Sequence, residues 1–264
     1  MSRYVDVCVN LLNRQFDPDR PEVVARARTA GVERMVLTAT DLASARDLLA
    51  WHKPGCLYST AGIHPHDVKD LPADWLGELE SLAAHPAVVA IGETGLDFNR
   101  NFSPRDTQLA SFEQQIALAC RVGKPLFVHD RESDGLVLEL LGKYASTLPP
   151  TVIHCFTGSA DELAAYLEAG YYIGITGWIT EQKRGAELRA LVPRIPLDRL
   201  LVETDAPFLK PHNLPADASG AKPSRRNEPA LLPWVVAAIA EARQQPVAEV
   251  VQATYANALR FFAL

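Results

Sequence analysis

Several ionisable residues interrupt apolar stretches of this chain where a strand should be ending. Glu93 closes AIGE, His129 closes LFVH, His154 stands near the end of TVIHCF, and Asp205 closes LLVETD. His64 follows the strand-like LYSTAGI, with His66 two places beyond it. Taken singly, each has an ordinary explanation: a strand histidine is commonly a hydrogen-bonded core residue, and a terminal aspartate commonly caps a helix. Packing does not explain four separate strands that each deliver a metal-competent side chain to the same end. Neutral imidazole nitrogens and carboxylate oxygens are the ligands that divalent ions accept. An ion so held lowers the pKa of a bound water toward neutrality, which makes metal-assisted hydrolysis the chemistry to expect.

The elements that must position these residues follow one rhythm. Strand-like runs occur at residues 5–10, 34–39, 57–63, 88–94, 125–130, 151–156, 171–176 and 200–205, and several are nearly continuous apolar runs, as in parallel strands buried on both faces. Between them lie segments of helical period; in DTQLASFEQQIALACRVG, Leu109, Phe112, Ile116 and Ala119 share a face. Gly31, Gly123 and Gly170 sit where helices should end. Eight β-then-α units predict an α/β fold, a single (β/α)8 TIM barrel spanning residues 1–264, with an open doubly wound sheet as the alternative. In a barrel the C-terminal strand ends converge on one mouth, where the active site sits. The Pro-rich polar segment 210–229 leaves that same face and is expected to be functional.

Composition narrows the class. The 264 residues are 48% hydrophobic and 22% charged, which argues for a globular chain rather than a disordered one. A formal net charge of -6 supplies no general attraction for nucleic acid. It excludes none either, because bound cations and a few arginines reverse the sign inside a cleft. The four cysteines form no CxxC pair and read as reduced thiols. The N-terminus enters strand-like sequence at once, and no apolar run approaches the roughly 20 residues of a membrane span. A cytoplasmic protein without a membrane partner is the expectation.

The motifs AGIHPHD, AIGETGLDFNRNF, PLFVHDR, VIHCFTG, YIGITGW, LVETDAPFL and SRRNEP resemble those of the TatD family of metal-dependent deoxyribonucleases, within the amidohydrolase-like barrels. The match runs from Val5 to about Phe262. The resemblance implies a divalent cation, Mg2+ first and Mn2+ or Zn2+ next, and hydrolysis of phosphodiester bonds. It further implies 3′→5′ trimming of single-stranded DNA and RNA by a monomer, in DNA repair or degradation.

Carried over by position, Glu93 is the bridging carboxylate and His129 and His154 are the histidines of one metal site. Asp205 ligates the other metal or takes the proton from its water, and His64 and His66 face the substrate phosphate. Most relatives open with Asp-x-His-x-His, whose histidines hold the first metal. Here that strand reads Asp6-Val7-Cys8-Val9-Asn10, leaving Asp6 as its strong hard-cation ligand. Arg225 and Arg226 are candidates for phosphate, with Arg100 and Arg131 behind them. Phe98, Phe102, Trp178 and Phe208 lie just beyond strand ends, where they either stack on bases or pack in the core. Two other readings stay open: a small-molecule hydrolase of amidohydrolase type, and a non-catalytic barrel that has lost its first metal site.

Overall fold

The computed structural model describes residues 2–215 and 225–264. Eight strands run β1 (Tyr4–Val9), β2 (Val32–Leu37), β3 (Leu57–Ala61), β4 (Val88–Asp97), β5 (Leu126–Arg131), β6 (Thr151–Ile153), β7 (Tyr172–Ile175) and β8 (Leu200–Val202). Nine α-helices accompany them in the described residues: α1 (Arg20–Thr29), α2 (Leu42–Leu48), α3 (Trp75–Ala83), α4 (Arg105–Val122), α5 (Leu136–Gly142), α6 (Ala160–Glu168), α7 (Ala186–Leu191), α8 (Leu232–Arg243) and α9 (Val247–Phe262). Each strand pairs in parallel with the next, in the order β1 to β8. The ring closes where Val9 bridges Ala206 and Asp205 N donates to Cys8 O at 3.0 Å. This is the expected TIM barrel.

Apolar strand positions fill two clusters. The larger packs strands against the helices, burying Phe16, Leu79, Phe112 and Ile116 completely. The smaller joins Val5, Val36, Phe127, Val152 and Leu201 to Phe261 and Phe262 of α9. Each such Leu or Phe contributes roughly 1.5–3 kcal/mol by leaving water. Phe127 also supports the site directly, its ring centroid 4.8 Å from that of His154.

The strands depart from the expected spans where the functional residues begin. β4 runs three residues farther and carries Asp97, whereas β6 and β8 end early, so His154 and Asp205 stand just past them. The cause is local: Cys155 and Asp205 take left-handed backbone angles, φ 47° and 53°, which turn the chain out of the sheet. Pairing persists to that point, with His154 N donating to Val128 O and Glu203 N to Ile175 O. On β4, Gly92 and Gly95 let the strand press against β5. A Cβ at Gly95 would lie 1.9 Å from His129 O, so only glycine fits beside this histidine.

Candidate metal centre

A cavity of about 720 Å³ opens at the C-terminal ends of the strands, lined among others by His64, His66, Glu93, His129, His154 and Asp205. Its centre is one atom. Glu93 Oε1 lies 2.8 Å from His154 Nε2, 3.0 Å from His129 Nδ1 and 3.3 Å from His64 Nε2. The backbone fixes this convergence, since Glu93 N donates to Ala39 O and His64 N to Thr40 O, tying β4 and the end of β3 to the loop after β2. His64 Nδ1 accepts from His66 N at 3.1 Å, which turns its Nε2 toward Glu93. His66 Nε2 in turn meets Asp97 Oδ2 at 2.7 Å.

The electrostatics are those of a buried charge cluster. Burial alone would push Glu93 up, but the charges of His154 and His64 and the hydrogen bonds of His129 and His154 hold it well below the usual carboxylate range. The same carboxylate, with Glu203, raises His154 well above an ordinary imidazole despite its burial. Burial drags His64 down to about 4. For Asp205, burial outweighs His154 and pushes the carboxyl up to about 7.

The residues fit a divalent ion. Around an ion bound at 2.0–2.1 Å, neighbouring ligands stand roughly 2.9–3.4 Å apart, and the nitrogens facing Glu93 Oε1 span 2.8–3.3 Å. Three buried polar atoms here, His129 Nε2, His154 Nδ1 and Glu203 Oε2, make no well-formed hydrogen bond; Asp97 Oδ2 lies 3.4 Å from the first and Glu203 Oε1 3.5 Å from the second. Such atoms are costly unless something unites them. Two groups have all their ligand atoms within 4.8 Å of one another, His64–Glu93–His129 and Cys8–His154–Glu203. His64 thus stands with the metal-competent set, closer to Glu93 than its expected place at the substrate phosphate.

Two predicted residues are not brought into the cavity. Asp6 is fully buried below it, with Oδ1 accepting from Thr204 N at 2.9 Å and Oδ2 from Thr204 Oγ1 at 2.6 Å. Burial pushes this carboxyl up to about 8, so it is no ready cation ligand. Arg226 is held by Asp19 at 2.6 Å and Glu228 at 2.7 Å, with Phe16 beneath its guanidinium. Its expected phosphate role is corrected accordingly, because its donors already serve Asp19, Glu228 and the Gln15 carbonyl. Arg225 does line the cavity, as do Arg100, Arg131, Trp178 and Phe208. Phe98 is core, whereas Phe102 and Phe208 are 54% and 46% exposed.

Two residues escaped the sequence reading. Asp97 anchors His66 from the extended end of β4. Glu203, 0% exposed, lies 3.5 Å from His154 Nδ1 and accepts from Cys155 N. The available signal was spacing, since Glu203 precedes Asp205 by two in LLVETD. From β1, Asn10 Nδ2 donates to Asp205 Oδ1 at 2.8 Å, and the Cys8 thiol approaches the same oxygen at 3.6 Å.

Residues 5–263 match the family model described as TatD related DNase. The chain belongs to that family. A relative from Edwardsiella piscicida, named 3′-5′ ssDNA/RNA exonuclease TatD, is 50% identical over 262 residues, covering 98% of this chain and 99% of its own. A Citrobacter rodentium protein of the same name is 47% identical, covering 98% and 97%. The crystal structure of YJJV, a TatD homolog from Escherichia coli, superposes with a TM-score of 0.87 at 30% identity, over 100% of this chain and 99% of that one. The chain thus shares its sequence with these relatives and its barrel with the solved structure.

Proposed function

We propose that the chain is a metal-dependent 3′→5′ exonuclease acting on single-stranded DNA and RNA. The observation that carries this reading is the convergence of three histidine nitrogens, from three different strand ends, on Glu93 Oε1 at the cavity floor. Family membership gives the convergence its substrate class, because the relatives at 50% and 47% identity bear that activity in their names.

Glu93, His129 and His154 would hold one divalent ion, with His64 beside them; Glu93 and Asp205 would hold a second. Mg2+ suits the carboxylates best, and Mn2+ and Zn2+ suit the histidines as well. The bound metal would supply a polarised phosphoryl oxygen and an acidic water. The chain's own groups do the rest. Asp205 Oδ1 is engaged by Asn10, so Oδ2 receives the proton released as water attacks phosphorus; the bond from phosphorus to the departing sugar oxygen breaks, and that oxygen is protonated as it leaves. Arg225, at the cavity rim, takes a non-bridging phosphate oxygen through paired donors. Glu203 fixes the His154 ring, and Asp97 the His66 ring. All four cysteines among the described residues are free thiols, which suits a cytoplasmic enzyme.

The test is incubation with end-labelled single- and double-stranded oligonucleotides, with each metal and with excess chelator. Mononucleotides should leave the 3′ end of single strands only when metal is present, and Glu93→Gln and His154→Ala should each abolish release in a folded protein. Undiminished cleavage in chelator, or equal cleavage of closed circular single strands, would overturn the reading.

A further inference from the structure

Beside the catalytic cavity lies a second one of about 630 Å³, and the two share Asp130, Arg131, Thr157 and Trp178 along their common wall. Both volumes are in the range of ordinary ligand sites. The charges of the second cavity are unequally committed. Of its carboxylates, Glu162 accepts from Ser159 N, Glu132 from Asn99, and Asp130 from the Tyr166 hydroxyl. Arg131 and Lys183 have no carboxylate partner among the described residues, leaving two uncommitted cations against Glu187. Arg131 borders both cavities and Lys183 borders the second alone.

Trp178 forms the ridge between them. Its backbone N–H is capped by Thr176 Oγ1 at 3.3 Å, its indole N–H donates to Arg184 O at 3.3 Å, and the Arg184 guanidinium lies 4.6 Å from the ring centroid. The indole is therefore fixed in place before any ligand arrives, and a base that stacks on the face under Arg184 takes the place of the guanidinium. A pinned aromatic between two cation-bearing cavities matches the chemistry of a single strand, whose bases stack on aromatic faces while its phosphates seek positive charge.

We infer that the second cavity is the subsite for the nucleotide on the 5′ side of the scissile bond. Trp178 carries its base, Arg131 the phosphate passing between the cavities, and Lys183 the phosphate beyond. This rests on the exonuclease reading and adds to it the path of the strand: the terminal nucleotide occupies the catalytic cavity and its neighbour crosses Trp178. Single strands are favoured on this path, because a base inside a duplex is already stacked on both faces and must unstack to lie against the indole.

The experiment compares trinucleotides whose middle residue is intact or abasic. Wild-type protein should cleave the intact substrate with about tenfold higher kcat/KM, the difference residing in KM. In Trp178→Ala that ratio should collapse to near one, and Trp178→Phe should restore most of it. Lys183→Ala, a surface change with little bearing on folding, should cancel the benefit of a 5′-phosphate on a dinucleotide, and Lys183→Arg should recover it. A wild-type enzyme indifferent to the missing base, or a Trp178→Ala enzyme that still discriminates tenfold, would overturn the subsite while leaving the exonuclease intact. Failure of the wild type to cleave any single strand with any divalent metal would instead sink the exonuclease reading, and the subsite with it.

Discussion

His154 is held between two carboxylates, its Nε2 2.8 Å from Glu93 Oε1 and its Nδ1 3.5 Å from Glu203 Oε1. A histidine so placed presents one nitrogen to the cavity while the other is turned to a buried acid, the arrangement that raises the basicity of a metal-binding imidazole.

Glu203→Gln should therefore weaken metal binding by about 10–100-fold while leaving the barrel folded. Calorimetric titration with Mn2+ reads the affinity, and circular dichroism checks the fold. Unchanged affinity would reduce Glu203 to a backbone anchor for Cys155 N.

The pH dependence should follow Asp205. As proton acceptor it must be ionised, so activity rises as pH climbs through its pKa. That value is about 7 without metal, and a nearby cation lowers it. The Asn10 hydrogen bond favours the carboxylate form. Removing it in Asn10→Ala should shift the rising limb of kcat/KM to higher pH, by roughly one pH unit. A limb that stays in place, or moves to lower pH, would take the proton acceptor role from Asp205.

The two neighbouring arginines should separate cleanly. Arg225→Ala should weaken single-strand binding and flatten its salt dependence by about one phosphate contact. Arg226 belongs to the ion-pair network of Asp19, Arg26 and Glu228. Hydrogen bonds from Arg226 and then Arg26 hold Asp19 below the usual carboxylate range. A depressed carboxylate stabilises the fold above its unfolded pKa, near 3.8, and loses that contribution as pH falls through the lower folded value. Discounted for solvent screening, Asp19→Asn should cost about 1 kcal/mol at pH 7. Tm should fall by about 2–3 °C, and the difference from wild type should shrink below pH 4. An equal Tm deficit at pH 7 and pH 2 would show that the pair's charge is not what stabilises.

These cases mark how far the sequence reaches. The barrel was legible because parallel strands are apolar on both faces, and the site because its ligands break those apolar runs at one end. Partners far along the chain were not. Asp6 looked like a ligand until Thr204, 198 residues away, took both of its oxygens. Arg226 looked available until Asp19, 207 residues earlier, claimed it. Glu203 and Asp97 lay unremarked inside motifs whose other acids drew notice, and the left-handed turns at Cys155 and Asp205 have no glycine to announce them.

The residues of β1 limit how tightly the first metal site can bind. Cys8 and Asn10 both reach Asp205 Oδ1, so their side chains stand where first-site ligands would be needed. Asn10 offers only a neutral amide, and the Cys8 thiol is softer than Mg2+ prefers. Burial and the charges of Asp205, Glu203 and Glu93 also push that thiol well above its ordinary pKa, so it remains protonated. Asp6 does not compensate, being turned to Thr204. The free protein should then bind one ion tightly, at Glu93, His129 and His154, and a second only when substrate phosphate completes the other shell. Cys8→His with Asn10→His places two imidazoles beside Asp205 and should add a second tight site, read as a change from one to two equivalents of Mn2+ in equilibrium dialysis. Because Cys8 is fully buried, the single Asn10→His change is the safer companion, with an intermediate gain expected. Two equally tight ions in the unmodified, substrate-free protein would show that Cys8 and Asn10 already serve as ligands.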